Sequence, residues 1–278
     1  PGGCCGHCRG LIQVLMTDNR DWRSISPRID VLEKVDSTNA EAMRRAAAGE
    51  CGPLWISAHQ QSRGRGRLDR TWQSPPGNLY QSLIAATEAP AGKLPQLSLA
   101  AGIGAFDAVE GLVGGPAGLP NLSLKWHNDL MVGAEKLGGI LIQSTQFEGR
   151  TIAVVGVGLN ISAAPTIEGR AITSLVAHGH EVSQAAASIR VAQHIEAVIA
   201  LWQAGTGITQ IIDAWMARTQ FLGQPIRVSV DNDIHDGFFA GLDQSGALLL
   251  ESSPGHTQRF EVGDVSLTNT GSVATGRE

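Results

Sequence analysis

The stretch VLEKVDSTN, residues 31–39, determines how the first part of this 278-residue chain folds. Its first five residues, VLEKV, mix apolar and polar types over a strand-like length, which predicts a short β-strand. An alanine-rich helix is predicted over residues 40–48, because Thr38 and Glu41 have capping-box spacing and Gly49 suits a helix end. The helix N-terminus, where backbone N–H groups can bind polar ligands, therefore carries three polar residues: Ser37, Thr38 and Asn39.

Further strands and helices follow in mixed order up to residue 220. Apolar runs predict strands over residues 54–58, 79–86, 122–126, 139–147 and 151–159. Helical spacing predicts helices over residues 96–112, 185–202 and 208–218. The polar, arginine-rich residues 59–71 are predicted to form a loop. This order is typical of an α+β domain with a largely antiparallel sheet.

The pattern changes after residue 221. Short strands are predicted over residues 226–230, 238–242, 247–250 and 258–261, with turn signals about every ten residues, which indicates a small β-barrel or sandwich. We therefore divide the chain into a poorly ordered extension (1–29), an α+β domain (30–220), an all-β domain (221–268) and a flexible tail (269–278).

Composition narrows the classes of function. The chain has 21 Lys and Arg against 26 Asp and Glu, a formal charge of −5, which disfavours a general nucleic-acid binder. No apolar run approaches the roughly 18 residues of a membrane span. The beginning of the sequence lacks the apolar segment of a secretory signal, so we expect a cytoplasmic location. Glycine is abundant, with 34 residues, which suggests close backbone approaches.

Three of the four cysteines crowd around His7, at Cys4, Cys5 and Cys8. A metal site built from Cys5, His7 and Cys8 is conceivable, but no second ligand pair at zinc-finger spacing follows. The alternative is a terminus without a metal-binding role.

An electropositive loop is predicted at RGRGR, residues 63–67, followed by Arg70. Four of the 21 basic residues lie within eight positions there. Arginine binds phosphate and carboxylate groups in bidentate fashion, and glycine lets backbone N–H groups approach an anion. A phosphate-binding loop and a solvated or nucleic-acid-binding loop both fit this composition.

Three further motifs place polar or small residues beside strands. KWHNDL, residues 125–130, ends a strand with Asn128 and Asp129, which either form a turn or line a site. Lys136 precedes Gly138 and Gly139 and either projects into a pocket or lies along a strand edge. GVGLN, residues 156–160, ends a strand with small residues, as a bulge or a ligand floor does.

These motifs, in this order and spacing, resemble those of the biotin protein ligases over about residues 30–268. The resemblance implies a catalytic domain related to class II aminoacyl-tRNA synthetases, followed by an SH3-like barrel. It implies a ligase-only protein, because about 29 residues are too few for an N-terminal DNA-binding domain. It further implies that ATP, with Mg²⁺, converts biotin to biotinyl-5′-AMP, and that a lysine of a biotin carboxyl carrier protein of the acetyl-CoA carboxylase type accepts the biotinyl group. A homodimer is a family expectation, and neither a membrane nor a specific nucleic acid is an expected partner.

The resemblance also implies roles for individual residues. The residues that match the biotin-binding positions are Ser37, Thr38, Asn39, Gln61, Gly64, Arg65, Gly66, Arg67 and Lys136. Those that match the ATP-binding positions are Arg67, Arg70, Trp72, Asn128, Gly156, Gly158 and Asn160. The catalytic positions correspond to Lys136, Arg67 and Asp129, and Asp129 is also a candidate Mg²⁺ ligand.

The sequence departs from the family pattern in three places. His127 replaces a proline, Arg63 replaces a small residue, and Leu68-Asp69 replaces a basic-glycine pair. A lipoate ligase, which shares the catalytic fold, is the nearest alternative, but the combined Arg-Arg…Gly-Gly-Gly-x-Val-x-His segment typical of that family does not occur in this chain. A second alternative is a biotin-sensing or nucleic-acid-binding module without catalysis, which would bind DNA weakly and with a steep salt dependence.

Overall fold

The computed structural model describes residues 26–68, 70–231 and 233–268. The chain divides after Arg218 into two compact units, and each unit has its own β-sheet. The Cys5, His7 and Cys8 cluster lies outside the described residues, as do most of the predicted N-terminal extension and all of the predicted tail.

The first unit is built on a seven-stranded sheet with the order β1-β2-β3-β7-β6-β5-β4. Its strands are β1 (Ile29–Val35), β2 (Leu54–Gln61), β3 (Leu79–Thr87), β4 (Leu122–Lys125), β5 (Asp129–Val132), β6 (Glu135–Phe147) and β7 (Arg150–Leu159). Its helices are α1 (Thr38–Ala47), α2 (Gln96–Leu112), α3 (Gln184–Trp202) and α4 (Ile208–Met216), with single 3₁₀ turns at Ala91–Lys93, Val176–His178 and Gln203–Gly205. Only the β1–β2 pair is parallel among these strands, so the predicted, largely antiparallel α+β fold is confirmed.

The two faces of this sheet have different partners. Helix α1 packs on one face through Ala42 and Ala46, against a buried cluster of Leu54, Ile56, Ile84, Ile152 and Val154. Helix α3 packs on the other face, where Ser188 donates a hydrogen bond to Gln81 of β3 over 2.7 Å. None of the helices in the described residues is both long and apolar enough to cross a membrane.

Helix α1 begins one residue earlier than the capping-box pattern predicts. Ser37 is the N-cap, and its side chain accepts the Ala40 N–H, whereas Glu41 bonds Arg44 and Arg45 instead of reaching back to the cap. The predicted helix end is confirmed. Gly49 has a φ of +103°, and its N–H donates to the Ala46 carbonyl while the next N–H donates to Arg45, as in a Schellman motif.

Three sequence predictions differ from the structure near the polar motifs. Strand β6 begins at Glu135 instead of residue 139, and β5 was not predicted at all. Consequently Lys136 lies inside a hairpin and not before a strand. Strand β2 also continues through Gln61, so only residues 62–71 of the predicted arginine-rich loop lie outside it.

The second unit contains a five-stranded antiparallel sheet with the order β11-β10-β9-β8-β12. Its strands are β8 (Pro225–Val230), β9 (Asp233–Leu242), β10 (Leu248–Ser253), β11 (His256–Phe260) and β12 (Asp264–Leu267). The buried side chains alternate along these strands, as expected for a sheet with one inner face: Ile226, Val228, Phe239, Leu248 and Leu250. The all-β composition of residues 221–268 is thus confirmed, and closure into an SH3-like barrel stays a prediction.

Candidate active site

The N-terminus of α1 is fixed to the end of β2 by a glutamine. The backbone N–H of Thr38 donates to Gln61 Oε1 over 2.8 Å, and Thr38 Oγ1 lies 3.2 Å from the same oxygen. Gln61 Nε2 donates to Ser74 Oγ over 2.9 Å. Three residues that match the biotin-binding positions, Ser37, Thr38 and Gln61, therefore lie together where α1 begins and β2 ends.

Asn39, which also matches a biotin-binding position, faces the sheet. Its side-chain amide donates to Gln143 Oε1 over 3.0 Å and to the Leu141 carbonyl over 3.4 Å. Its Oδ1 lies 2.6 Å from Ser82 Oγ, and the residue is 4% exposed. Both ends of the Asn39 side chain are thus bound by the protein, so we assign it no direct ligand contact.

Two glycines of β7 allow side chains to lie directly on the sheet. A Cβ on Gly156 would stand 1.9 Å from Asn39 Oδ1, and a Cβ on Gly158 would stand 2.6 Å from the Trp72 indole. Real Cβ atoms do not approach other atoms so closely, so both positions require glycine. The resemblance assigns both glycines to ATP, but the structure places Gly156 against the Asn39 network and Gly158 under Trp72.

The arginine-rich segment folds back on itself as a small bend. The Trp72 N–H donates to the Gly64 carbonyl over 2.9 Å, and the Gly66 N–H donates to the Arg70 carbonyl over 2.7 Å. The side chains of Arg63, Arg65 and Arg70 are exposed at the surface. Arg67 is half-buried, and its Nη1 donates to Asn128 Oδ1 over 3.4 Å. Arg67 is therefore the arginine that connects this bend to the KWHNDL motif.

Asn128 is fixed by β6 at both its backbone and its side chain. Its carbonyl accepts the Ile140 N–H over 2.8 Å, and its Nδ2 donates to the Ile140 carbonyl over 3.0 Å. The preceding carbonyl, of His127, accepts the Ser98 hydroxyl over 3.1 Å. The segment that carries histidine in place of the family's proline is thus held at the substituted position and at the residue that follows it.

Asp129 joins two lysines. Lys136 Nζ lies 2.5 Å from Asp129 Oδ1, and Lys125 Nζ lies 3.1 Å from Asp129 Oδ2. Burial alone would raise the pKa of Asp129, but the two ammonium groups outweigh burial and lower its pKa to about 2. A general base works best with a pKa near the working pH. Asp129 is therefore suited to orient lysines and not to accept a proton at neutral pH.

Acid is expected to weaken this ion-pair cluster over a defined range. A carboxylate whose pKa is lowered on folding contributes stability that is present above its unfolded pKa and is lost as the pH falls through its folded pKa. For Asp129 this range runs from its usual value of 3.8 down to about 2, and the contribution is about 2 kcal/mol. Urea unfolding of the parent and of Asp129→Asn between pH 5 and pH 2 measures it. The difference in unfolding free energy between the two proteins should shrink across that interval, and a constant difference would contradict this role.

The contacts of Asp129 do not fit the predicted Mg²⁺ ligand. Both carboxylate oxygens already bind ammonium groups, and a divalent cation there would stand beside two positive charges. In the described ranges, no three His, Cys, Asp or Glu side chains gather where they could hold a metal ion. We therefore assign none of the described residues to Mg²⁺.

Trp72 lies between Lys136 and the part of the site that contains Gln61. Lys136 Nζ lies 5.5 Å from the centroid of the Trp72 ring, and the Trp72 carbonyl accepts the hydroxyl of Ser74, which in turn binds Gln61. The Trp72 indole nitrogen is buried and, in the described part of the chain, has no hydrogen-bond partner. A ligand acceptor would satisfy this N–H.

Asn160, which matches an ATP-binding position, is 1% exposed, and its Oδ1 accepts the Asn78 amide over 3.4 Å. Asn78 Oδ1 in turn accepts three successive backbone N–H groups, of residues 161–163. In this structure Asn160 therefore belongs to the turn that follows β7 and not to an open surface.

Four residues of the site were absent from the sequence prediction: Ser74, Ser82, Lys125 and Gln143. Ser82 gave a signal, because it is a hydroxyl within an otherwise buried strand. Lys125 lies only four residues from Asp129, within the KWHNDL motif. Ser74 and Gln143 contact partners distant in sequence, which no local pattern shows.

The comparisons with known proteins agree with this geometry. A model of the biotin/lipoate A/B protein ligase family matches residues 32–161, and a model of the biotin protein ligase C-terminal domain matches residues 221–268. A biotin–[acetyl-CoA-carboxylase] ligase of Paracoccus denitrificans is 35% identical over 232 residues, which cover 81% of this chain and 95% of that protein. The chain belongs to the biotin protein ligase family.

Two further similarities support the assignment to this family. A biotin–[acetyl-CoA-carboxylase] ligase of Mycobacterium tuberculosis is 30% identical over 263 residues, which cover 92% of this chain and 94% of that protein. The structure of the Aquifex aeolicus biotin protein ligase with biotin and ATP has a TM-score of 0.72 and 23% identity, and covers 88% of this chain and all of that one. At that identity the structural likeness establishes the fold alone. The resemblance inferred from the motifs is thus confirmed, and the chain is a ligase.

Proposed function

We propose that this chain uses ATP to convert biotin to biotinyl-5′-AMP and then transfers the biotinyl group to a lysine of the carrier protein of acetyl-CoA carboxylase. One observation carries the proposal: an unbroken set of contacts links the hydroxyl of Thr38, through Gln61, Ser74 and Trp72, to the ammonium of Lys136. Such a site has a polar end for the biotin ring and a cationic end for a carboxylate and a phosphate.

In the first step, a biotin carboxylate oxygen bonds to the α-phosphorus of ATP, the bond to the bridging oxygen breaks, and pyrophosphate leaves. Negative charge builds up on the phosphoryl oxygens as this occurs, and fixed cations lower the barrier most when they need not move. We assign this role to Lys136, which Asp129 orients, and to Arg67, which Asn128 contacts. Trp72 lies against both Gly158 and Lys136, where it can exclude water from the mixed anhydride of biotinyl-5′-AMP.

In the second step, the amine of a carrier lysine bonds to the acyl carbon, AMP leaves, and one proton is released. Asp129 stays ionised at neutral pH, so we assign it the orientation of Lys136 and not proton transfer. Mg²⁺ is expected as a companion of the ATP phosphates, without a ligand from the residues discussed. We also propose a homodimer, which analytical ultracentrifugation with and without biotin would test.

Arg67→Ala is expected to release the adenylate faster. Arg67 is the half-buried cation of its bend, so its loss removes a charge from the phosphate and uncouples the bend from Asn128. We expect release of biotinyl-5′-AMP to rise at least about tenfold, with a smaller change in biotin affinity. Filter binding of labelled adenylate measures this, and the exposed Arg63→Ala serves as the control. Equal release rates from the Arg67 variant, the Arg63 variant and the parent would contradict this role.

Biotin-dependent exchange of labelled pyrophosphate into ATP tests the proposed function, because it isolates the first step without a carrier. We expect exchange with biotin and none with lipoate. Exchange with lipoate alone would favour the lipoate ligase, and biotin binding without exchange would favour a sensor that lacks catalysis. Transfer to a purified carrier domain then tests the second step.

A further inference from the structure

We propose that Lys125, a lysine of β4 to which the family resemblance gave no role, is a positioning residue for the first step. By binding one oxygen of Asp129, it leaves that carboxylate able to compensate only part of the positive charge of Lys136. This inference rests on the proposed function, because it concerns the charge presented to the ATP phosphates. Lys125 Nζ lies 3.1 Å from Asp129 Oδ2, and the Lys125 side chain is 16% exposed, so water screens this ion pair less than one at the surface.

The sheet register places Lys125 on the face that carries the site. Lys125 is the cross-strand partner of Asp129, Asp129 of Gly139, and Gly139 of Gly158, so the four form one row across β4, β5, β6 and β7. Directly opposed residues of antiparallel strands share one face of a sheet. Trp72 covers Gly158, since a Cβ there would stand 2.6 Å from the indole. Lys125 therefore lies at the outer end of the row, on the face that Trp72 covers.

Lys136 reaches the same row from within β6. A Cβ on Gly139 would stand 3.2 Å from Lys136 Nζ, and this ammonium lies 2.5 Å from Asp129 Oδ1. A single carboxylate therefore separates the two ammonium groups. Within the described part of the chain, neither lysine has a second carboxylate partner.

The charge of this cluster determines what it offers to a phosphate. Two ammonium groups and one carboxylate leave one net positive charge. Without Lys125, Asp129 and Lys136 would form a neutral pair, and both carboxylate oxygens could bind the one remaining ammonium. In a partly buried site, a unit charge several ångströms from a reacting phosphate changes a rate by about tenfold. Lys125 thus acts on the phosphates through Asp129 and Lys136, without a contact of its own.

Biotin-dependent pyrophosphate exchange tests this role. Lys125→Met, which keeps most of the side-chain volume, should lower kcat/KM for ATP about tenfold. Calorimetric biotin binding without ATP should change by less than about twofold, because the biotin ring is bound at the other end of the site. Lys125→Arg keeps the charge and can bind a carboxylate, so it should stay within about threefold of the parent. Lys34→Met removes the same charge from β1, at the opposite edge of the sheet, and should match the parent.

A second substitution, at position 129, separates the effect of charge from that of a structural tie between β4 and β5. In the parent, Asp129→Asn leaves two ammonium groups without the carboxylate between them, so exchange should slow. In the Lys125→Met background the same change restores one net positive charge, and the asparagine oxygen can still accept from Lys136. The double variant should therefore exchange at least about threefold faster than Lys125→Met alone. A purely structural tie predicts no such recovery.

Two results would overturn the proposal: folded Lys125→Met that exchanges within about twofold of the parent, or a double variant no faster than Lys125→Met alone. Circular dichroism checks folding, and Lys125→Gln replaces Lys125→Met if the latter does not fold. Failure of the parent to support exchange would count against the proposed function instead, so the two failures are distinguishable.

Discussion

Lys136→Ala is expected to slow biotin-dependent pyrophosphate exchange about 10³-fold, because it removes the cation that stabilises charge on the phosphoryl oxygens. Its ammonium is preorganised by Asp129 and lies against Trp72, so its alignment requires no rearrangement during the reaction. Biotin affinity should fall far less, because the ring is bound at the other end of the site. Exchange rates and calorimetric biotin binding separate the two effects.

The matched control is Lys34→Ala, which removes an exposed lysine of β1. A double-mutant cycle with Asp129→Asn tests whether Asp129 acts through Lys136. If it does, the double variant should be little worse than Lys136→Ala alone, because the two residues act as a unit. Exchange that survives Lys136→Ala within a few-fold would show that the role of Lys136 is wrongly assigned.

Gly156→Ala and Gly158→Ala are expected to weaken the binding of different substrates, although the two glycines lie two residues apart on one strand. The Cβ at position 156 would stand 1.9 Å from Asn39 and would displace the network behind Thr38, so biotin should bind about 100-fold more weakly. The Cβ at position 158 would stand 2.6 Å from the indole of Trp72, so the KM for ATP should rise instead. Biotin calorimetry and ATP-dependent exchange kinetics measure the two outcomes.

Gly111→Ala is the control for both glycine variants. Gly111 lies in α2, and a Cβ there meets no other atom within 4 Å. Alanine at this position should therefore leave the binding of both substrates unchanged. Both β7 variants must also unfold cooperatively by circular dichroism. If both variants lost biotin affinity and ATP affinity equally, the two glycines of β7 would not act on separate substrates.

Local patterns were sufficient to predict most of the secondary structure. The spacing of apolar residues predicted α2 to the residue, and capping chemistry placed the polar N-terminus of α1 within one residue. Strand β5 was missed because it has only four residues and begins at Asp129, within the Asn-Asp pair that is typical of a turn. The start of β6 was misplaced because Gly138 and Gly139, which resemble a strand boundary, lie within the strand.

For the site as well, local motifs pointed to individual residues, whereas contacts between residues distant in sequence could not be predicted. The family resemblance pointed to Thr38, Gln61, Arg67 and Lys136, which the fold brings to one region, and their roles stay predictions. The inward orientation of Asn39 could not be predicted, because it depends on the register that aligns Ser82 with Gly156 and Leu141. The use of both oxygens of Asp129 likewise depends on lysines from two strands that meet only in the folded sheet.

The two ion pairs of Asp129 also bear on self-acylation. The proposed acyl-adenylate is a mixed anhydride that would acylate any free amine beside it, including the enzyme's own. The chain contains only four lysines, Lys34, Lys93, Lys125 and Lys136, and its other basic side chains are arginines, which are poor nucleophiles. The two lysines of the site both direct ammonium hydrogens at Asp129, and an ammonium has no lone pair with which to attack. The carboxylate that orients Lys136 for phosphate chemistry thus also engages both lysines of the site in ion pairs, which leaves the acyl group to the lysine of the carrier.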